Sequence, residues 1–419
     1  LSGKTSLLES LLNACGVLSR KGSVGDGNTV GDSSPESRAR SMSVEINVAS
    51  AKYLGEDWTF IDCPGSIELF QEALNAMAVA DVAVLVVEPG AEKAIAATRA
   101  MKELDRAGLP YIIFINKMDG VEARVKFTLE ALQGLTERPL VLREIPIRDG
   151  NDVTGHLDLV SERAYKWSGS GKSDLIEVPG ELSGRTEEER TQLLETLADF
   201  NDELLEQLLE DVIPGTEDVY QNLAADLQDG AIVPVFFGSA ENESGIKRLM
   251  KALRHEAPEV AQTAGRLGID AEGDVLAQAF KIYNGSTAGK LTFARFWRGD
   301  FADGGSLNGS RVSGIFKMMG LVQNKISSAR AGDVVALGRI EDVKAGDALS
   351  ASGDAEAAPW PEPITPVYAL AIHAGNRDDE VKMATAMAKI IEEDTSLVYG
   401  LTPTRPSRSF AARGRPISA

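Results

Sequence analysis

The chain has 419 residues, 43% of them hydrophobic and 25% charged, which is material for about three domains of ~150 residues each. An excess of 63 acidic over 43 basic residues gives a formal net charge of −20, which argues against broad electrostatic binding to nucleic acid and leaves only local contacts open. Cys15 and Cys63 are too few for a disulfide framework and point to a reducing compartment, and the longest apolar runs, such as 82–87, fall far short of the ~20 residues that a membrane-spanning helix needs.

Gly3-Lys4-Thr5 opens the chain, and Leu7, Leu8, Leu11 and Leu12 follow at a spacing that predicts an amphipathic helix. Gly-Lys-Thr at a helix start is the second half of a phosphate-binding loop. Helix N-terminal N–H groups hold phosphate, Lys4 adds charge, and the Thr5 hydroxyl suits magnesium. The first glycine of that motif would precede Leu1, so the sequence reads as a piece cut within its own motif. Residues 22–35 are rich in Gly, Ser and Asn and predict a mobile loop, the plain alternative being an inert surface loop. Phe60-Ile61-Asp62-Cys63-Pro64-Gly65-Ser66 reads as a short strand that ends in a carboxylate and a Pro-Gly turn. In phosphate-loop proteins an Asp so placed holds magnesium through water and the glycine N–H senses the terminal phosphate. An ordinary turn after a strand is the alternative.

Residues 81–87 predict a buried strand, and so does Tyr111-Ile112-Ile113-Phe114-Ile115, which runs directly into Asn116-Lys117-Met118-Asp119. A polar quartet at the carboxyl end of a buried strand lies where open α/β sheets bind ligands. A carboxylate can accept two hydrogen bonds, and guanine offers two adjacent donors, its ring N–H and its exocyclic amine. Adenine lacks the pair, and a site built around a buried carboxylate rejects it because the acceptor is left unmatched. Asp119 therefore reads as a guanine selector, although taken alone the quartet is also an ordinary set of turn residues. Residues 232–237 predict a further strand, after which Gly238-Ser239-Ala240 form a turn able to offer backbone N–H groups to the guanine carbonyl oxygen.

Residues 187–211 carry leucines at 193, 194, 197, 204, 205, 208 and 209 among many acids, which predicts an amphipathic helix with a negative face. Short strands alternating with glycine turns over 266–355, as at 273–283, 289–297 and 332–337, suit a β-barrel. Pro359, Pro361, Pro363 and Pro366 mark a linker over 355–366. Residues 366–372 are strand-like and 377–392 helical. From Thr404 on there is neither helical period nor strand pattern, and the local charge turns basic. That segment is expected to be either a basic disordered tail or non-native sequence after a frame shift.

The order Gly-Lys-Thr, Asp-Cys-Pro-Gly, Asn-Lys-Met-Asp, Gly-Ser-Ala, each expected at a strand end, resembles a translational GTPase and, more narrowly, the elongation factor G family. Thr154-Gly155-His156-Leu157-Asp158-Leu159-Val160, with Ala164-Tyr165-Lys166-Trp167, resembles the insertion that this family carries in its G domain. Gly289-Lys290-Leu291-Thr292-Phe293-Ala294-Arg295 resembles its β-barrel domain, and Ile390-Ile391-Glu392-Glu393-Asp394-Thr395-Ser396-Leu397 its third domain. The fold class implied is α/β: a P-loop GTPase G domain over 1–255 with an α+β insertion at about 140–230, a translation-factor β-barrel over 266–355, a partial ferredoxin-like α+β domain over 363–402, and a tail over 403–419.

The resemblance implies binding of GTP and GDP with magnesium, in the cytoplasm, by a monomer that acts on the ribosome in translocation or a related step such as recycling. It implies Lys4 on the β and γ phosphates beside Gly3, Thr5 and Ser43 on the magnesium, Asp62 in its water shell, and Gly65 as sensor of the γ phosphate. Asn116, Lys117, Asp119, Ser239 and Ala240 are implied as the guanine site, and the acidic helix as a contact for the ribosomal stalk protein or, more plainly, a solvated face. Two departures stand out. Ser66 occupies the place of the family's water-positioning histidine, and Arg40-Ser41-Met42-Ser43 stands where the family has Arg-Gly-Ile-Thr. Rival expectations are thus a ribosome-associated GTP-binding switch with little hydrolysis, and a non-functional fragment.

Overall fold

The protein is described by a computed structural model that covers residues 2–120, 125–169, 171–285, 289–401 and 408–412. It forms two units, one made of Leu1–Ser23 and Ala80–Glu259 and the other of Val24–Val79 and Val260–Ala419.

In the first unit four strands form a parallel sheet in the order Ala83–Val87, Tyr111–Ile115, Val233–Phe237, Leu140–Leu142. Tyr111–Ile115 is buried at every position, as a central strand covered on both faces must be, and this explains why its sequence is an unbroken apolar run. Val87, Ile115 and Phe237 pair in register, so the residues that follow them, Glu88, Asn116 and Gly238, line one edge of the sheet. Helix Lys4–Ala14 buries Leu7, Leu8, Leu11 and Leu12 and packs against helix Ile246–Glu256, as its apolar spacing predicts.

The insertion is an antiparallel sheet of Glu144–Asp149, Asp152–Asp158, Arg163–Gly169 and Lys172–Ile176. The acidic segment after it is two helices, Ser183–Ala198 and Asp202–Leu209, rather than one. Asn201 ends the continuity: its backbone is extended and its side chain accepts from the Leu204 N–H, so it caps a new helix. Leu193, Leu194, Leu197 and Leu204 are buried, whereas Leu205 and Leu209 face solvent, so the expected single apolar stripe is broken as well.

Charged groups sit between the insertion and the parallel sheet. Arg143, fully buried, donates to Glu256 at 2.6 Å, and Arg248 lies 2.6 Å from Asp158. The two guanidinium groups lie 5.2 and 5.0 Å from the Phe236 ring centre. Glu144 accepts the Phe237 N–H at 2.9 Å. Burial, only partly offset by Arg248 and the Phe237 N–H, pushes the Glu144 carboxyl up to about 7. Burial and then Arg248 hold His156 down at about 4, and its Nδ1 accepts from Trp167 Nε1 at 3.1 Å. A carboxyl whose pKa is raised on folding contributes stability that is complete below its unfolded value near 4.5 and is lost as pH rises toward 7. Glu144→Gln keeps an acceptor for Phe237 and cannot ionise. Its melting temperature relative to the parent protein should therefore rise between pH 5 and pH 8, as followed by thermal unfolding across that range; a pH-independent difference would contradict a strained Glu144 carboxylate.

In the second unit the antiparallel hairpin Leu276–Gly285 and Gly289–Arg298 is joined by Val334–Gly338, Ile315–Met319, Val322–Ile326 and Ala348–Ser350. Its interior is built on Ala277, Ala279, Ile282, Phe296, Val335 and Leu337. The same sheet continues into Asn47–Tyr53 and Glu56–Asp62, because Asn47–Tyr53 bridges Ile315–Met319 at Ala49 and Met319. Residues 24–79 thus pack with the barrel. The 355–366 segment lies on the barrel too: the Ala358 carbonyl accepts from Gln278 Nε2 at 3.1 Å. Helix Glu380–Glu393 follows strand Tyr368–Ile372, close to the boundaries read from sequence. Beyond them the expectation of a tail without strands is corrected at Arg408–Ala412, which pairs antiparallel with Tyr368–Ile372 and Val398–Leu401. Five residues between two partner strands draw their order from ladder bonds that local composition does not display. The expected tail residues 403–407 and 413–419 lie outside the described residues.

Candidate nucleotide site

Asn116 is the joint of the first unit's sheet edge. Its backbone N–H donates to the Val87 carbonyl at 2.8 Å, its side-chain Nδ2 to the Ser2 carbonyl at 2.8 Å, and its Oδ1 accepts the Ala240 N–H at 2.8 Å. One buried amide thereby ties the phosphate-loop segment to the turn that follows Val233–Phe237. Gly3 makes this close approach feasible. Its φ of +86° is left-handed, and a Cβ there would stand 2.5 Å from Asn116 Nδ2. Lys4 and Thr5 then begin the helix, with Thr5 buried in its first turn, where backbone N–H groups lack helical acceptors. Gly3, Lys4, Thr5, Asn116, Lys117, Asp119, Ser239 and Ala240 are therefore brought together by one unit.

The quartet itself departs in detail from its sequence reading. Lys117 adopts a left-handed backbone with φ of +62° and pairs with Glu88. Burial opposes ionisation of Glu88, and Lys117 overrides that effect, holding the carboxyl below its usual range. Met118 is buried and donates its N–H to the Gly238 carbonyl at 3.0 Å. Asp119, expected as a buried carboxylate, is instead exposed, with one oxygen accepting from Asn242 Nδ2 at 3.1 Å.

Gly238-Ser239-Ala240 also differs. The Ser239 N–H donates to the Ser244 carbonyl at 3.0 Å and the Ala240 N–H to Asn116, so both amides expected to face a guanine carbonyl already have acceptors. Ser239 Oγ accepts the Asn242 N–H at 3.2 Å. Sequence reading missed the groups that brace this turn. Ser10 Oγ and Lys21 Nζ each donate to the Ala240 carbonyl at 2.6 Å, and Asn13 Nδ2 donates to Glu243 at 2.7 Å. All three are polar residues on or just after a helix otherwise read for its leucines, and their spacing alone does not distinguish bracing from solvation.

The remaining candidates, Ser43, Asp62, Gly65 and Ser66, belong to the second unit. Asp62 is buried at the end of Glu56–Asp62, paired in register with Asn47. Gly65 is exposed, and Ser66 precedes the short turn Ile67–Leu69 with its hydroxyl on the Glu68 carboxylate. Ser43 is buried, and its hydroxyl, expected to face a metal, donates to Asp32 at 2.7 Å. Residues 24–46 take a packed form here. Ser34 caps helix Pro35–Arg40, Ser33 Oγ donates to Asn47 at 2.8 Å, and Thr29, Asp32 and Ser37 are buried. Hydroxyl and carboxylate side chains supply internal partners that a composition of Gly, Ser and Asn leaves unannounced.

Residues 2–259 match the family model described as the elongation factor Tu GTP binding domain. The chain is 42% identical over 95% of its length to an elongation factor G-like protein of Synechocystis, covering 60% of that protein, and 27% identical over 94% of its length to elongation factor G 2 of Pseudoalteromonas translucida, again covering 60%. A solved structure from Thermus thermophilus superposes with a TM-score of 0.89 at 27% identity, covering 99% of this chain and 62% of that one. The chain therefore spans about 60% of the length of these curated relatives.

Proposed function

The chain belongs to the elongation factor Tu-type GTP-binding family and, within it, to the elongation factor G translational GTPases, and on that premise we propose that it is a magnesium-dependent guanine-nucleotide switch acting on the ribosome, in translocation or a related step such as recycling. The observation that carries this reading is Asn116, whose single amide fixes the phosphate-loop segment and the 238–240 turn in one frame beside the exposed Asp119.

In this reading Gly3 brings the backbone close, the helix N-terminus and Lys4 hold the β and γ phosphates, and Asp119 accepts from guanine's ring N–H and exocyclic amine. Lys117, released from Glu88, lies along the base, and Ser239 and Ala240 border its carbonyl side, the Ala240 N–H exchanging Asn116 for the base. Magnesium, when bound, neutralises charge on the β and γ oxygens. Thr5, Ser43 and Asp62 offer it hard oxygen donors, the type it takes. Ser43 can do so with its hydroxyl hydrogen still on Asp32, since its oxygen lone pairs stay available, and Gly65 offers its N–H to the γ phosphate. The acidic helices carry a contact for the ribosomal stalk protein, and the protein works as a cytoplasmic monomer; among the described residues no helix is long and apolar enough to cross a membrane.

Ser66 favours a second reading, a switch with slow intrinsic hydrolysis. Its short side chain is engaged by Glu68 and has no imidazole to orient an attacking water. GTP turnover by the protein carrying this chain, with and without ribosomes, decides between them. Ribosome-stimulated multiple turnover is expected, and its absence would leave only the slow switch. Ser66→His should raise the intrinsic rate, and an unchanged rate would remove the argument from this position.

A further inference from the structure

The turn after Val233–Phe237 is closed on itself. Ser239 and Ser244 exchange backbone hydrogen bonds, at 3.0 Å from the Ser239 N–H and 2.9 Å from the Ser244 N–H, and the Ser239 hydroxyl oxygen takes the Asn242 N–H at 3.2 Å. The same turn is held to the first helix and to the segment after it. Lys21 Nζ donates to the carbonyls of Ala240 and Glu241, at 2.6 and 2.7 Å, Ser10 Oγ donates to the Ala240 carbonyl as well, and Asn13 Nδ2 donates to Glu243. The neighbours of Asn242 on both sides are thus braced, by Lys21 and by helix Lys4–Ala14, while Asn242 itself is exposed.

This turn is joined to the quartet along its length. The Gly238 carbonyl accepts the Met118 N–H at 3.0 Å, the Ala240 N–H donates to Asn116 Oδ1 at 2.8 Å, and Asn242 Nδ2 donates to Asp119 Oδ2 at 3.1 Å. The first two fix the residues before Asp119 and leave its terminal torsion untouched, and that torsion is intrinsically broad in an aspartate. Among the described residues, Asn242 is the side chain that reaches the carboxylate. A donor already held in place by a braced turn narrows the torsion at little further cost in ordering. It does not use the carboxylate up. Two oxygens offer about four lone-pair sites and Asn242 takes one, so each oxygen keeps room for another donor.

We propose that Asn242 is a positioning residue that sets the plane of the Asp119 carboxylate, and through it how strongly the site prefers guanine to hypoxanthine. This rests on the functional reading above, in which Asp119 accepts from guanine's ring N–H and exocyclic amine. Hypoxanthine keeps the ring N–H and lacks the amine. One donor can be met by either oxygen over a wide range of the torsion. Two parallel donors are met together only when both oxygens lie in the plane of the base, as in other two-point contacts of a carboxylate. A loosened carboxylate therefore weakens guanine binding and leaves hypoxanthine binding almost as it was.

The test measures Kd for GDP and for inosine diphosphate, with magnesium present, in the protein carrying this chain and in Asn242→Ala. The preference for GDP over inosine diphosphate should narrow by roughly three- to tenfold, almost entirely through weaker GDP binding. The melting temperature should hardly move, because Asn242 is exposed. Asn242→Gln keeps an amide donor and should restore part of the preference. Equal weakening of both nucleotides, an unchanged ratio or a wider one overturns the proposal. Should Asn242→Ala fail to fold, Asn242→Asp keeps the shape and replaces the donor with an acceptor, and it should narrow the ratio at least as far; a ratio equal to the parent's counts just as heavily against the idea. If the unaltered protein binds the two nucleotides alike, Asp119 does not read the amine, and the functional reading of that residue fails together with this inference. A clear GDP preference that Asn242→Ala leaves intact removes the inference alone.

Discussion

Asp119→Asn is expected to weaken GDP binding by roughly 10²–10⁴-fold. Two hydrogen bonds from guanine to a charged acceptor are each worth about 1.5–3 kcal/mol, and the amide replaces one acceptor oxygen with a donor that opposes a guanine N–H. The same change should improve binding of xanthosine diphosphate, whose carbonyl takes the place of guanine's exocyclic amine and accepts from the new amide. Calorimetric titration with both nucleotides checks this. Because Asp119 is exposed and its only described side-chain partner is Asn242, fold stability should move by less than about 1 kcal/mol, which separates loss of recognition from loss of structure. Equal GDP affinity in the variant would show that Asp119 does not read the base.

Arg143→Met is expected to destabilise the first unit by about 3–5 kcal/mol, because it leaves Glu256 buried without its cation. Among the described residues Arg143 Nε and Nη2 have no hydrogen-bond acceptor, so the pair is imperfectly satisfied and removal of both charges should be far milder than removal of one. Arg143→Met combined with Glu256→Met should recover most of the loss in urea unfolding. A double variant as unstable as the single would mean that packing around Phe236, rather than the charge pair, dominates here. The effect should reach the candidate nucleotide site, since Phe236 and Phe237 lead directly into Gly238 and the turn that Asn116 braces.

The elements legible in the sequence are those whose partners are implied by their own periodicity. Tyr111–Ile115 announces its burial by an unbroken apolar run, helix Lys4–Ala14 by its leucine spacing, and the residue after the strand by its position at a sheet edge. What escaped was set by distant residues. Asn201 looks like one more polar residue in an acidic helix until its side chain is seen to accept the Leu204 N–H. Asn47–Tyr53 carries no mark of pairing with Ile315–Met319, more than 260 positions away. The Ala240 amide could be assigned to a ligand from sequence because its acceptor, Asn116, is equally a member of the guanine motif. In each case local propensity leaves two outcomes nearly level and a hydrogen bond selects one.

The central claim is that the frame built on Asn116 and Asp119 selects guanine. Its most direct test is equilibrium titration of the protein carrying this chain with fluorescent GDP and fluorescent ADP under identical magnesium and salt. The account predicts saturable GDP binding and at least ~10²-fold weaker binding of ADP, since adenine lacks the two adjacent donors for Asp119, each worth about 1.5–3 kcal/mol to a charged acceptor. Comparable affinity for the two nucleotides, or no binding of GDP, would contradict it.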